Sequence, residues 1–116
     1  MTTFSTAARI AWLALTERAS ALSEPALPAW ESLDAAAQAR LTTDAEIACS
    51  TTSVLGEYAG QWLASRVDDG WAHGAAEDFA AKTSPLIAEV SSLNDAQVAH
   101  VTLWHSTCRA YWRSLS

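Results

Sequence analysis

The stretch from Trp62 to Leu93, WLASRVDDGWAHGAAEDFAAKTSPLIAEVSSL, is the part of the chain around which the rest is organised. It begins as the end of a helical pattern and reaches a turn at Asp69-Gly70, where Gly70 suits the left-handed residue that ends a helix. From Trp71 to Ser92 no helical periodicity continues, although the tryptophan and the apolar residues near position 86 favour an ordered segment. We therefore predict an irregular or short-hairpin insert after this turn, with residues 85–90 as a short extended segment.

The sequence on both sides of this insert is alanine-rich and predicts helices. Apolar residues recur at helical spacing from about Thr3 to Leu22, after Asp34 as N-cap, and from about Val54 to Asp68. A last helix follows Asn94, which forms a capping-box pattern with the glutamine three residues on. The predicted fold class is all-α or mainly α, a small helical domain of about four helices that spans residues 1–116 as a single domain.

Two local features leave alternatives open. Ser50–Ser53 is either a loop or a β-branched, weak stretch inside one long helix. Cys49 and Cys108 lie far apart without CxxC spacing, which favours two small buried thiols, and a disulfide between them also stays open. Gly56 and Gly60 are four residues apart, so they share one side of the third helix, where a neighbouring helix or a ligand could come close.

Composition excludes several classes of partner. Only 17% of residues are charged, the net charge is -6 and there is a single lysine, Lys82. Phosphate backbones require clustered Lys and Arg, so we predict no nucleic-acid partner. No apolar run approaches the roughly 18 residues of a membrane span, and the N-terminal residues lack the basic start of a signal peptide. We expect a cytoplasmic protein with no membrane partner.

The motifs typical of catalysis and metal binding are not found in the sequence. His100 and His105 are five residues apart on the last predicted helix, so they lie on different faces and make poor co-ligands or relay partners. The sequence also has no HExxH, P-loop, GxSxG or zinc spacing. We predict that the protein is not an enzyme, with no catalytic residue, no metal site and no cofactor.

Binding of a small planar ligand is better supported. Trp62 and Trp71 flank the turn, and indole faces stack on planar heterocycles with about 1–3 kcal/mol per base. The nearby groups able to meet an anionic or polar substituent are Arg66, His73, Lys82 and Thr83. Tryptophans of a small protein also serve as core, and the sequence alone leaves both roles open for these two.

The order and spacing of residues in this stretch resemble the ryanodine receptor repeat, or RyR domain. The residues that carry the resemblance are Trp62, Gly70-Trp71, Gly74, Asp78, Lys82-Thr83, Pro85 and Leu93. Ile10-Ala11, Pro28 and Trp30 are similar to the extended form of single-domain bacterial and phage members. Three positions depart from the family pattern: His73 replaces a usual tyrosine, while Ser84 and Ala59 replace histidines.

The resemblance implies a mostly helical module that binds a nucleotide or a nucleotide-derived signal molecule. Carried over to this chain, the resemblance gives Trp62, Trp71, Asp78, Lys82-Thr83 and Pro85 as the family's signature region. The predicted ligand-binding residues are Trp62, Trp71, Asp78, Lys82 and Thr83 of that region, together with Arg66, His73 and Trp30. Our leading interpretation is a non-enzymatic small-ligand binding module, with the base stacked on tryptophan. The alternative is a structural or protein-interaction module that acts as a homodimer through an exposed Tyr111-Trp112 on the last helix.

Overall fold

Four α-helices form most of the protein in the computed structural model, which describes residues 3–115. They are α1 (Thr3–Ala21), α2 (Ala35–Cys49), α3 (Ala59–Asp68) and α4 (Asp95–Ser114). Short 3-10 turns cover Trp30–Ser32 and Val90–Ser92, and a single π-helical turn, Val54–Tyr58, leads into α3. The predicted mainly helical fold with four helices is confirmed.

Three of the helices pack together through alanines. α1 lies against both α2 and α4, and α2 also contacts α4. The alanines at this contact have no exposed surface: Ala7, Ala8 and Ala11 in α1, and Ala45 and Ala48 in α2. Small side chains let helix backbones approach closely, and the large rings of Trp12 and Trp104 fill the remaining core. We call this contact the alanine seam.

Helix ends follow the residues that predict them. The Asp34 carboxylate accepts a hydrogen bond from Ala37 N at 2.8 Å, and Asn94 with Gln97 forms the complete capping box. Gly70 has a φ of 90°, and the next backbone N–H returns to Arg66 O at 2.9 Å. α2 ends at Cys49, so the loop alternative for the Ser50–Ser53 stretch is correct.

The insert after Gly70 contains two short strands. β1 (Ala72–His73) and β2 (Thr83–Ser84) pair in parallel, so the strands do not form a hairpin. The predicted extended segment at 85–90 is wrong, because the chain turns at Pro85. Leu86 N donates to Ser84 Oγ at 3.1 Å, and Ile87 N donates to Ser84 O at 3.2 Å. The irregular insert itself is confirmed.

The two cysteines and the two helical glycines have simple environments. Cys49 and Cys108 are buried free thiols, with Cys49 Sγ 3.6 Å from Cys108 O, so the disulfide alternative is excluded. Burial raises the pKa of both thiols. A Cβ at Gly60 would meet nothing within 4 Å, and one at Gly56 would meet Ser53 Oγ at 2.7 Å. Neither glycine is therefore the site of a close helix–helix approach.

Within residues 3–115, no helix is long and apolar enough to cross a membrane.

Candidate functional site

The centre of the site is an arginine inside the protein. Arg66 lies in α3 and is only 1% exposed. Its Nε and Nη2 donate to Asp44 Oδ2 at 3.2 and 2.7 Å, and its Nη1 donates to Glu77 Oε1 at 3.1 Å. Burial opposes the charged form, but the two carboxylates outweigh it and raise the pKa of Arg66. The guanidinium is thus held as a permanent buried cation that joins α3 to α2 and to the insert.

Three aromatic rings surround this cation. Arg66 Cζ lies 4.0 Å from the ring centroid of Trp71, 4.8 Å from that of Trp62 and 5.9 Å from that of Phe79. These distances allow cation–π attraction, which is strongest when the cation is removed from water. We call Arg66, its two carboxylates and the three rings the arginine cage.

The cage changes the role expected for the two tryptophans of the turn. Trp71 is 4% exposed and Trp62 is 8% exposed, and Phe79 packs edge-on against Trp71. The two tryptophans do not form the predicted stacking platform for a ligand, because their rings pack against the guanidinium of Arg66. Arg66 itself is equally covered, so it does not face solvent as a phosphate contact. The three residues lie together as predicted, but as core.

Glu77 ties the insert to the cage. Its side chain is 26% exposed, and its carboxylate turns inward to Arg66. Burial raises the pKa of Glu77, although the Arg66 charge acts to lower it. This contact gives the insert, which has little regular structure, a fixed position on the helices.

An open cleft lies between α2 and α3 on the other side of Asp44. Its volume is about 550 Å³, and the insert supplies part of its rim. The cleft is lined by Ala36, Ala39, Arg40, Thr43, Ser65, Asp68, Asp69, Phe79 and Lys82. Two cations, two carboxylates, two hydroxyls and one aromatic ring thus line the same space. We call it the α2–α3 cleft.

Asp69 lies near both cations of the cleft, and the buried Asp44 also binds Arg40. Arg40 Nη2 donates to Asp44 at 2.7 Å and to Ser65 Oγ at 2.8 Å, while its Nη1 lies 3.5 Å from Asp69 Oδ2. Lys82 Nζ donates to Asp69 O at 2.8 Å and lies 3.4 Å from Asp69 Oδ1. Slight burial acts to raise the pKa of Asp69, but its bond to Lys82 and the neighbouring charges lower it overall. Asp69 therefore lies between both cations as an anion.

The remaining four predicted residues have three different environments. Asp78 and Thr83 build the insert: Asp78 Oδ1 accepts from Ala80 N and Ala81 N at 3.0 and 3.1 Å, and Thr83 Oγ1 donates to Ala76 O at 3.2 Å. His73 is exposed on β1. Trp30 is buried beside Trp12 of α1 and lines a different groove, so the structure does not bring it to the cleft.

Sequence reasoning missed Arg40, Asp44 and Phe79. Asp44 could have been identified from the sequence, because it lies on the buried helical stripe that includes Leu41 and Ala48. A buried carboxylate needs a hydrogen-bonding or ion-pair partner. Arg40, one helical turn earlier, was a candidate for that partner. Phe79 had no such signal, since its approach to the cage depends on the course of the insert.

No model of a known protein family, no curated protein and no solved structure matches this chain. Within residues 3–115, no group of three or more His, Cys, Asp or Glu side chains is arranged to hold a metal ion. The arginine cage and the α2–α3 cleft are the features from which a function can be inferred.

Proposed function

We propose that the protein is a non-enzymatic binding module for a small anionic ligand, specifically a nucleotide or nucleotide-derived molecule, held in the α2–α3 cleft. One observation carries the proposal: Arg40, Lys82 and the ring of Phe79 line one cleft of about 550 Å³. Ligand pockets are typically about 300–1,000 Å³, so a mononucleotide fits this volume.

The charge of the cleft suits an anion of low charge. The chain as a whole carries -6, yet the cleft combines Arg40 and the chain's single lysine with two aspartates. Asp69 lies beside both cations, so an incoming phosphate would take its place there, while Arg40 keeps its bond to Asp44. Such an exchange favours a monoanion over a triphosphate, because the remaining carboxylates repel additional charge.

The walls of the cleft supply the other contacts. Thr43 and Ser65 place hydroxyl groups at its lining, and these can bond to a sugar or a phosphate oxygen. Phe79 offers the planar ring on which a base can stack. The stacking ring expected at a tryptophan is thus assigned to Phe79, with Trp62 and Trp71 behind it.

We also propose that the chain is a single-domain member of the RyR repeat family and acts in the cytoplasm. The order and spacing of the motif residues support the family assignment, and most of them lie in the insert, whereas Trp62 lies in α3. Trp62 and Trp71 flank Arg66, Asp78 caps a turn, and Lys82 has a φ of 57° beside β2. In this chain the motif residues act mainly as structural residues that hold the insert in place.

A thermal-shift screen tests the binding proposal. The probes are AMP, cyclic AMP, adenosine and NAD. A ligand that binds only the native state stabilises it by about 2.7 kcal/mol at a hundredfold excess over Kd, which raises Tm by on the order of 10 °C. We expect AMP or cyclic AMP to raise Tm more than adenosine does, since only the phosphate meets the two cations.

Matched variants locate the effect. Lys82→Met removes a cation from the cleft, and Arg9→Met removes one from the exposed side of α1. We expect the ligand-induced shift to fall in Lys82→Met and to persist in Arg9→Met. Equal losses in both variants would mean that net charge and not the cleft governs binding, and would reject the proposal.

A second function is favoured by the end of α4. Trp112 is 39% exposed and stacks on Phe4 at 5.3 Å, with the exposed Leu115 beside it. An apolar patch of this kind fits the predicted homodimer interface. If the patch is a homodimer interface, the mass measured in solution will rise with protein concentration. Trp112→Arg will then abolish that rise and leave ligand binding unchanged.

A further inference from the structure

A small cavity lies inside the helix bundle, apart from the α2–α3 cleft. Its volume is about 40 Å³, and all four α-helices and the insert contribute to its wall. The polar part of the lining comes from Asp44, Tyr58, Glu77, His100 and Trp104, and the rest is apolar. One ordered water needs roughly 10–15 Å³ of such space, so the cavity holds a group of two or three heavy atoms.

One residue of the cavity lining, Trp104, has an unsatisfied donor. Trp104 is 4% exposed, and its Nε1–H is buried with no hydrogen-bond partner among residues 3–115. Buried donors are nearly always paired, and leaving one unpaired costs about 1–3 kcal/mol. Among residues 3–115 no protein group accepts from this N–H, so an ordered water or a ligand in the cavity would supply the acceptor.

A surface groove adjoins the cavity. The groove has a volume of about 290 Å³ and shares Glu77, Leu86 and His100 with the cavity. Leu27 and Pro85 give it apolar walls. The polar side chains along it already bond to one another, as Arg18 with Glu24 at 3.2 Å and Asn94 with Gln97 in the capping box. A guest in the groove therefore meets apolar surface first and polar groups at its buried end.

The buried end defines the chemistry of the guest. Trp104 needs an acceptor, while Glu77 accepts from Arg66 through Oε1 and has a second oxygen able to accept from a guest. Asp44 and Glu77 are already paired with Arg66 and Arg40, so a charged guest would lose its hydration in a buried site whose charges are balanced. A neutral primary carboxamide meets all of these conditions, because its C=O accepts and its NH₂ donates.

We infer that the cavity and its groove form a second ligand site, which takes a small neutral carboxamide attached to a flat apolar ring. The amide enters the cavity, where its oxygen accepts from Trp104 Nε1–H and its NH₂ donates to Glu77. The ring lies in the groove against Leu86 and Pro85. This site is separate from the anion-binding cleft and does not depend on it.

Nitrogen-15 NMR of the indole N–H groups tests the site. The chain has six tryptophans, and the Trp104 cross-peak is identified by its loss in Trp104→Phe. The probes are benzamide and, as the matched anion, benzoate. We expect benzamide to produce a saturable shift of the Trp104 cross-peak and benzoate at equal concentration to leave it in place. No shift with benzamide, or equal shifts with both probes, would overturn the proposal.

Two further measurements separate the alternatives. Leu86→Trp narrows the junction of groove and cavity and should abolish the benzamide shift, while the control Leu13→Trp, on the exposed side of α1, should retain it. A long-lived water that contacts the Trp104 N–H and is not displaced by benzamide would show a water site only and would reject the ligand site. Lys82→Met should not change the benzamide response, so failure at the cleft and failure here are distinguishable.

Discussion

The alanine seam and the arginine cage hold the same domain together in opposite ways. In the seam, side chains without polar groups, such as Ala8 and Ala45, are completely buried between helices. In the cage, a charged side chain is buried just as completely, with two carboxylates and three rings around it. The stability of the seam depends on how well small side chains fill the space between the helices. The stability of the cage depends on the balance of its buried charges.

This difference explains why the insert is ordered without regular structure. The seam joins long helices along which buried alanines recur, so its stabilising energy is divided among many small van der Waals contacts. The insert contributes only two residues to each strand, and it is fixed by Glu77, Trp71 and Phe79 meeting one cation. A single substitution in the cage is therefore expected to destabilise the protein more than a single substitution in the seam.

The largest effect is expected from Arg66→Met. Removing Arg66 takes the cation away from Glu77 and leaves Asp44 paired with Arg40 alone, and breaking a buried ion pair in this way costs about 3–5 kcal/mol. Urea unfolding measures the loss. As a control, Arg18→Met removes an arginine whose pair with Glu24 is partly exposed, and it should cost under about 1 kcal/mol.

A double-mutant cycle tests whether charge balance is the reason. Asp44→Asn in the Arg66→Met background removes one of the two carboxylates that Arg66 balances, so the double variant should be more stable than the sum of the two single losses implies. Strict additivity of the two losses would argue that Arg66 acts only through its volume.

The next effect is expected in the seam. Ala45→Leu adds three carbon atoms where no surface is exposed, and overpacking of this kind costs about 1–3 kcal/mol. The same change at the exposed Ala110 of α4 should be nearly neutral. If thermal unfolding gives equal midpoints for the two variants, the seam is not closely packed.

Gly60 inside α3 and Gly70 just after its end should respond to substitution with opposite signs. Gly70→Ala places a side chain at a φ of 90°, which costs about 1–2 kcal/mol. Gly60→Ala adds a methyl group into open space within a helix and should gain up to about 1 kcal/mol. Urea midpoints of the two variants should therefore move apart, and a shift in the same direction would contradict this account of the turn.

The smallest effect concerns pH. His105 is buried, with Nε2 3.1 Å from Thr51 Oγ1, and burial followed by the Arg109 charge outweighs the Thr51 carbonyl and lowers its pKa below the usual 6.5. The unfolded chain then binds this proton first as pH falls, so stability is full above about 6.5 and decreases below it. The stability difference between about pH 7.5 and about pH 5.5 should be smaller in His105→Gln than in the wild type, a comparison that cancels the shared titration of His100 and Glu77. An unchanged difference would show that His105 does not titrate differently on folding.

Local rules predicted the helices well and the cage only in part. Capping at Asp34 and Asn94 and the end of α3 at Gly70 follow from residues close in sequence, so the pattern contains the information. The clustering of Trp62, Arg66 and Trp71 was also predictable. Their burial was not, because it depends on Asp44, which is distant in sequence and reaches Arg66 only after α2 and α3 pack.

The measurement that tests the central claim most directly is backbone NMR mapping of the nucleotide that gives the largest thermal shift. The account predicts shifts concentrated at Arg40, Ser65, Asp69, Phe79 and Lys82, with little change at Trp112 and Leu115 on the far end of α4. Shifts concentrated at the α4 end, or no shift with any of AMP, cyclic AMP, adenosine and NAD, would contradict the assignment of the α2–α3 cleft as the binding site.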